Sequence, residues 1–298
     1  MTLINLALDW TPNINHIGFF VARDKGFYAD LGLEVSISDP SSDNYQTTPA
    51  KRVELGTADF ALCPTESIIS YRTKSNPFPL VAMAALLQED LSAIVVKADS
   101  DIKSPKDLDG KTYSSYAARY EDHIVREMIK NDGGQGDLKV VYPDKLGIWN
   151  TLLEDVADAT WIFVNWEGVV AEQADVPLRY FRMKDYQIPY SYSPVIAANA
   201  RIIEEKRTAY DSFLAATKAG FLYTQSHPKE SIEILKPLLP KSDQHVDLNR
   251  ALEITAPHFG TEESWGSMEK QVISNFLDWI YDNNLEDRKI DISDIVFS

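Results

Sequence analysis

Short apolar runs alternate with stretches of helical periodicity along most of the chain. The runs typical of strands are Leu3–Leu8, Phe60–Leu62, Leu80–Leu87, Ala93–Val96, Lys139–Tyr142, Trp161–Val164 and Val195–Ala198. Apolar residues at helical spacing cover Ile17–Arg23, Glu121–Asn131, Thr208–Ser226, Ser231–Leu239, Leu248–His258 and Met268–Asn283. Strands that alternate with helices in this way predict an α/β fold.

Polar residues crowd the turn between the first strand and the first helix. Within it, Asp9, Trp10, Asn13 and His16 supply a carboxylate, an indole, an amide and an imidazole. Ligands of open α/β sheets bind at the carboxyl ends of the strands, so the pattern indicates a ligand-binding turn. The same residues also suit an ordinary loop in which Pro12 starts the helix, Asn13 caps it and Trp10 packs in the core.

The order of short motifs from this turn onward resembles the thiamine-pyrimidine family, the no-message-in-thiamine family. The likeness covers roughly residues 3–240 and is carried by D-W-x-P-N-x-N-H-x-G at 9–18, then Val21–Tyr28, Leu31–Val35, Gly56–Phe60, Leu108–Lys111, Asn165–Gly168 and Tyr192–Val195. That family joins pyrimidine-binding receptors of bacterial importers to the fungal enzyme that makes the thiamine pyrimidine. The resemblance therefore implies a small-molecule ligand, an aminopyrimidine or a thiamine-related compound.

The resemblance also implies a two-lobed, type II periplasmic-binding-protein-like fold. Each lobe is expected to be a sheet flanked by helices, with two strands forming the hinge. Lobe one is expected at residues 1–90 and 194–298 and lobe two at 91–193, with a ligand cleft between them that closes by hinge motion. The length of 298 residues independently favours two lobes over one core.

A second candidate loop, Ser114–Glu121, follows a strand and leads into a helix. Its N–H groups and hydroxyls suit an anion or a polar ring substituent, although it lacks the glycine-rich pattern of a phosphate loop. Helix capping and a surface pair between Arg119 and Glu121 explain the same residues equally well. The family resemblance favours Tyr116 and Glu121 as ligand contacts.

A third candidate, Asn165, Trp166 and Glu167, follows the strand Trp161–Val164 and is interpreted as the lobe-two counterpart of the Asp9 turn. A carboxylate forms two parallel hydrogen bonds with the ring nitrogen and exocyclic amine of a protonated aminopyrimidine. Glu167 is therefore the preferred recognition residue. Its alternative role is to stabilise the following helix by its charge, which is worth about 0.3–1 kcal/mol.

The turn at Cys63 to Ser67 bears on catalysis. Synthases of the resembled family carry a lysine that forms a Schiff base with pyridoxal phosphate, and a histidine consumed a few residues later, where this chain has Cys63 and Ser67. They also carry a cysteine-rich iron motif, whereas Cys63 is the only cysteine here. We therefore expect a binding protein without catalytic residues or cofactor, in which Glu66 contacts ligand or caps its helix. An enzyme of thiamine-pyrimidine synthesis with altered catalytic residues is the alternative.

Charge and composition exclude several classes of binding partner. With 45 acidic and 29 basic residues, a net charge of −16 argues against nucleic acid and anionic membranes. No apolar stretch approaches the roughly 18 residues of a membrane span, and the five histidines show no metal-binding spacing, so no metal is expected. Without a secretory signal pattern the expected location is cytoplasmic, with an extracytoplasmic, trimmed protein as the alternative. The oligomeric state is not indicated.

Overall fold

The computed structural model describes residues 1–144 and 148–297. The chain forms two compact units. Unit 1 comprises Met1–Asp90, Ser191–Leu277 and Arg288–Ser298, and unit 2 comprises Leu91–Tyr190 and Asp278–Asp287. This division differs from the expected lobes at two places: residues 191–193 belong to unit 1 rather than to lobe two, and Asp278–Asp287 belongs to unit 2 rather than to lobe one.

Unit 1 is built on a five-stranded sheet with the order β2-β1-β3-β10-β4. Strand β1 pairs in parallel with β2 and β3, whereas β10 is antiparallel to both β3 and β4. The strands are β1 (Thr2–Ala7), β2 (Leu33–Ser38), β3 (Phe60–Cys63), β4 (Leu80–Ala85) and β10 (Val195–Asn199). Its helices are α1 (Ile17–Asp24), α2 (Phe27–Asp30), α3 (Pro49–Glu54), α4 (Thr65–Thr73), α8 (Ile203–Ser226), α9 (Pro228–Leu235), α10 (Leu248–Thr255) and the first part of α11 (Lys270–Asp282).

An aromatic core joins the sheet of unit 1 to its long helix. Phe213 of α8 stacks on Phe60 of β3 with ring centroids 4.3 Å apart, and it lies 6.4 Å from Phe19 of α1. Phe221, two turns further along α8, meets the edge of Phe19 at 5.4 Å. Aromatic pairs of this kind add about 0.5–1.5 kcal/mol each beyond burial of their area. The start of α1, which directly follows the turn after β1, is therefore packed against aromatic side chains of α8.

Unit 2 repeats this arrangement with the order β7-β6-β8-β5-β9. Strand β6 is parallel to β7 and β8, and β5 is antiparallel to β8 and β9. The strands are β5 (Ser92–Lys97), β6 (Thr112–Ser114), β7 (Lys139–Val141), β8 (Ala159–Phe163) and β9 (Leu178–Phe181). The helices are α5 (Glu121–Asn131), α6 (Ile148–Leu153), α7 (Glu167–Gln173) and the last residues of α11.

The two strand orders show which loops correspond. By position in its sheet, β6 matches β1 and β8 matches β3. The unit 2 counterpart of the Asp9 turn is therefore the loop between β6 and α5, and Asn165–Glu167 corresponds instead to the turn after Cys63. The interpretation of Asn165–Glu167 as the counterpart of Asp9 was wrong, because sequence alone does not reveal strand order.

Candidate functional site

The turn after β1 is organised around a buried histidine. Nε2 of His16 lies 2.8 Å from Oδ1 of Asp9, and Nδ1 of the same ring accepts the backbone N–H of Asn13 at 3.3 Å. The His16 side chain is 1% exposed, whereas that of Asp9 is 26% exposed. Of the two side chains, only that of Asp9 is therefore partly accessible from solvent.

The Asn13 side chain is used within its own turn. Its Oδ1 accepts the N–H of Asn15 at 2.9 Å, and its Nδ2 donates to the carbonyl of Thr11 at 3.1 Å. The first of these bonds caps the single helical turn Ile14–His16 that precedes α1. A cap therefore accounts for Asn13, and its predicted contact with ligand stays a prediction.

Trp10 forms an aromatic pair that sequence reasoning did not identify. Its ring lies 5.3 Å from that of Tyr45, with the planes tilted by 56°. Tyr45 follows a short helical turn, Pro40–Asp43, and is held at φ 62°. Both rings are partly exposed, so together they present aromatic surface beside Asp9. No periodicity marks Tyr45, because it comes from an irregular loop.

Two carboxylates act on Cys63 at the end of β3. Residues Ala7 and Ala61 are paired in the parallel register of β1 and β3, so the two chains leave the sheet side by side. Burial raises the pKa of the Cys63 thiol, and the negative charges of Asp9 and Glu66 raise it further. A thiol held in its neutral form is a poor nucleophile, so Cys63 behaves as a buried small apolar residue.

Tyr192 fixes the turn that carries Glu66. Its carbonyl accepts both the backbone N–H of Thr65 at 3.1 Å and the Thr65 hydroxyl at 2.8 Å. Its own hydroxyl accepts the N–H of Glu269 at 2.9 Å. In the sequence, Tyr192 contributes only to the family resemblance and is not marked as a structural residue. Its role in holding the first turn of α4 appears only from the antiparallel pairing of β10 with β3.

In unit 2, Glu121 holds the loop between β6 and α5 together. Its Oε1 accepts the hydroxyl of Tyr113 at 2.8 Å and the N–H of Tyr116 at 3.0 Å, and its Oε2 accepts the N–H of Ala118 at 3.2 Å. Burial raises the pKa of this carboxyl, although the three hydrogen bonds oppose the shift. Glu121 thus shapes the loop from inside, at 3% exposure.

The Tyr116 ring brings two of the predicted loops together. Burial raises the pKa of its phenol well above the ordinary range, and the charges of Glu167 and Glu121 raise it further. Glu167 begins α7, and its Oε2 accepts the N–H of Phe163 at 3.0 Å. At the carboxyl ends of β6 and β8, Glu121 thus binds the Tyr116 backbone directly, and Glu167 lies within electrostatic range of the Tyr116 phenol. All three were predicted as site residues.

The remaining predicted residues of this loop, Asn165 and Trp166, are buried, with exposures of 0% and 5%. Trp166 precedes α7 and donates its backbone N–H to the carbonyl of Phe163 at 3.1 Å. Their contact with ligand stays a prediction.

Within residues 1–144 and 148–297, no group of three or more His, Cys, Asp and Glu side chains is placed to hold a metal ion. No helix in the same part of the chain is long and apolar enough to cross a membrane.

The model of the family described as NMT1/THI5 like matches residues 13–231, well over half of the chain. The chain belongs to the NMT1/THI5-like family. The predicted thiamine-pyrimidine resemblance is thereby confirmed, and the matched segment contains Asn13, Glu66, Glu121 and Glu167.

Relatives of this NMT1/THI5-like protein include both a binding protein and synthases. The formylaminopyrimidine-binding protein of Halalkalibacterium halodurans is 27% identical over 235 residues, which are 78% of this chain and 69% of that protein. The 4-amino-5-hydroxymethyl-2-methylpyrimidine phosphate synthase of Legionella pneumophila is 22% identical over 247 residues, covering 80% and 74%. Both names concern aminopyrimidines.

Solved structures confirm the predicted fold. The periplasmic aliphatic sulphonate binding protein SsuA from Escherichia coli matches with a TM-score of 0.74 at 15% identity, covering 100% of this chain and 92% of that one. The Candida albicans CA3427 gene product, described as exhibiting the generic periplasmic binding protein fold, matches with a TM-score of 0.69 at 14% identity, covering 98% and 93%. Each unit of the NMT1/THI5-like chain is accordingly a mixed sheet flanked by helices.

Proposed function

We propose that this NMT1/THI5-like protein is a small-molecule binding protein that captures an aminopyrimidine or a related aromatic compound. The observation that carries the proposal is the grouping of Tyr116, Glu121 and Glu167 at the strand ends of unit 2, where Glu121 binds the Tyr116 N–H at 3.0 Å and the charge of Glu167 acts on the Tyr116 phenol. Carboxylates accept the N–H bonds that an aminopyrimidine offers along one edge, and charged acceptors make the stronger hydrogen bonds. The name of the Halalkalibacterium halodurans relative supports the same ligand class.

Within this grouping, Glu167 is the proposed recognition residue. The N–H of Phe163 binds one oxygen of its carboxylate and so orients the group at the start of α7. A ligand with a protonated ring nitrogen beside an exocyclic amine suits such a fixed acceptor. Glu121 is proposed to act mainly by holding the loop that carries Tyr116, since its oxygens already accept three bonds.

Unit 1 offers groups of the same chemistry. The Asp9 carboxylate is partly exposed, the Trp10 and Tyr45 rings lie beside it, and Glu66 is the second carboxylate that acts on Cys63. An aromatic face and an acceptor together suit a planar, amine-bearing ring. Enclosure of the ligand between the two lobes, by closure about a hinge, remains a prediction from the family resemblance.

Binding is favoured over synthesis by the state of Cys63. Schiff-base chemistry needs an amine, and the residue at the place of the synthase lysine is a buried thiol whose pKa is raised. The second candidate function is an enzyme of thiamine-pyrimidine synthesis with altered catalytic residues, which the similarity to synthases supports. Incubation with pyridoxal phosphate and iron, followed by borohydride trapping and mass spectrometry, separates the two. A trapped adduct together with a modified histidine would establish the enzyme instead.

Calorimetric titration tests the proposed function directly. We expect formylaminopyrimidine or 4-amino-5-hydroxymethyl-2-methylpyrimidine to bind with one-to-one stoichiometry. Ligand at about 100 times its Kd should add about 2.7 kcal/mol to the free energy of unfolding. A non-aromatic sulfonate serves as the control ligand. If the fold shared with sulphonate-binding proteins were enough for binding, the sulfonate would bind as well as the pyrimidines. Absence of heat and of any shift in melting temperature with both pyrimidines would refute the proposal.

The compartment is a separate question. A cytoplasmic location remains a prediction, with an extracytoplasmic one as the alternative. Fractionation of the native host, followed by detection of the protein with an antibody, decides between them.

A further inference from the structure

His16 lies between two fixed partners in the turn after β1. Its Nδ1 faces the backbone N–H of Asn13 at 3.3 Å, and its Nε2 faces Oδ1 of Asp9 at 2.8 Å. Asn13 is itself fixed, because its side chain bonds to Asn15 and Thr11. The imidazole is therefore held from both sides by groups that do not depend on any ligand.

These partners determine where the ring carries its proton. A backbone N–H only donates, so Nδ1 must accept and cannot carry a hydrogen. An ionised carboxylate only accepts, so Nε2 must carry the hydrogen and donate it to Asp9. The contacts thus select the neutral ring protonated on Nε2, as neighbours commonly do for histidine.

We propose that His16 is a positioning residue for Asp9 and not a ligand contact. By donating from Nε2 to Oδ1, it holds the carboxylate so that the partly exposed side chain offers its other oxygen to the amine of the ligand. The inference rests on the proposed function, since it assigns Asp9 a role in recognising that ligand. At 1% exposure the imidazole itself has no surface for a ligand to touch.

Two substitutions separate the two hydrogen bonds of the ring. The side-chain amide of glutamine reaches the place of Nε2, so His16→Gln keeps a donor for Asp9 and loses the acceptor for Asn13. The shorter amide of asparagine reaches only the place of Nδ1, so His16→Asn keeps the acceptor for Asn13 and loses the donor for Asp9. Both variants lose one bond of a buried turn, so both are expected to melt at lower temperature than the parent.

Ligand affinity distinguishes positioning from a purely structural role. With 4-amino-5-hydroxymethyl-2-methylpyrimidine as the probe, His16→Asn should raise Kd by about 10- to 100-fold, the usual effect of losing a hydrogen bond to a charged group. His16→Gln should stay within about threefold of the parent despite its lower melting temperature. Equal Kd changes in both variants, in proportion to their lost stability, would overturn the proposal.

A double substitution shows whether His16 acts through Asp9. In an Asp9→Asn background, His16→Asn should change Kd no further, because the group being positioned is already gone. Additive losses would mean that His16 acts on the ligand by another route and would overturn the proposal.

Nitrogen-15 spectra of the histidine ring test the proton position without any ligand. We expect the His16 signals to show a protonated Nε2 and an unprotonated Nδ1, with the Nε2 proton exchanging faster in Asp9→Asn. A proton on Nδ1 would overturn the inference even if the pyrimidine binds tightly. If no pyrimidine binds while the spectra show the Nε2 proton held by Asp9, the proposed function fails but the His16–Asp9 coupling stands.

Discussion

The carbonyl oxygen of Gly18 lies 2.1 Å from where a Cβ atom on Gly220 would stand. A Cβ on Gly18 would in turn lie 2.3 Å from the ring of Phe221. Helices α1 and α8 therefore approach at a distance that only glycine permits at these two positions. Gly18 lies in the first turn of α1, so this crossing holds against α8 the end of the helix that directly follows the Asp9 turn.

Gly220→Ala should destabilise unit 1 by about 1–3 kcal/mol, because one methyl group would force the two helices apart. Gly168→Ala is the matched control, since it adds a methyl group to helix α7 at ordinary contact distance, 3.4 Å from the Tyr180 hydroxyl. The control should be neutral or gain up to about 1 kcal/mol from better helix propensity. Urea denaturation measures both, and equal midpoints would show that the α1–α8 crossing tolerates a side chain.

Cys63 should resist alkylation in the native protein. Burial and the charges of Asp9 and Glu66 raise the thiol pKa, so little thiolate is present at neutral pH. Iodoacetamide should modify the thiol at least about 100-fold more slowly in the folded protein than in guanidinium chloride at the same pH. Mass spectrometry over time gives both rates. Rapid modification of the folded chain would reveal an activated cysteine and revive the enzyme hypothesis.

Glu121 should make the stability of the protein depend on pH. Its folded pKa is raised above the ordinary value of 4.5, so the folded state binds more protons than the unfolded state between the two values. The contribution of this group to the free energy of unfolding therefore falls as pH rises from about 4.5 through the folded pKa. Glu121→Gln does not titrate and should flatten that part of the curve. Urea denaturation of both proteins at a series of pH values provides the test. The prediction would be contradicted if the free energy of unfolding of the parent rose through this pH range relative to that of the variant.

Glu167→Gln should weaken pyrimidine binding by about 2–5 kcal/mol, because it removes the charge that faces the protonated ring edge. Folding should lose only about 0.3–1 kcal/mol, the value of a negative charge at a helix N-terminus. Glu172→Gln on the exposed side of α7 is the control and should leave Kd unchanged. Calorimetric titration and melting of all three proteins decide the matter. If Glu167→Gln bound the pyrimidine with the affinity of the parent, Glu167 would not be the recognition residue, and Asp9 or Glu66 would take that role.

Apolar periodicity predicted the larger elements of the fold well. The predicted helix Glu121–Asn131 has those bounds in the structure, and the first helix extends one residue beyond Arg23. Strands β2 and β9 were not predicted, whereas the strand expected before the Ser114–Glu121 loop is β6. In β9 only Phe181 is buried, which is too little to leave a clear apolar pattern. Strand order was equally hidden, since it depends on pairing between distant segments.

For the candidate site, the sequence identified the turns but not the direction of the side chains. Asn13, His16 and Glu121 are polar residues at strand ends, yet each binds its own loop. Local hydrogen bonds to backbone compete with ligand contacts for the same residue types, and composition cannot say which prevails. Tyr45 was missed because it reaches Trp10 from a loop without periodicity.

The place of β10 in the first sheet sets an order of assembly. Strands β3 and β4 are neighbours in the chain, yet β10 lies between them and arrives only with Val195–Asn199, after every strand of unit 2. A ribosome therefore finishes all strands of the second sheet before it supplies the strand that completes the first. Contacts between segments that are distant in the chain slow folding. Until β10 is synthesised, the backbone groups of β3 and β4 that pair with it have no partner strand, whereas all strands of the second sheet are already present.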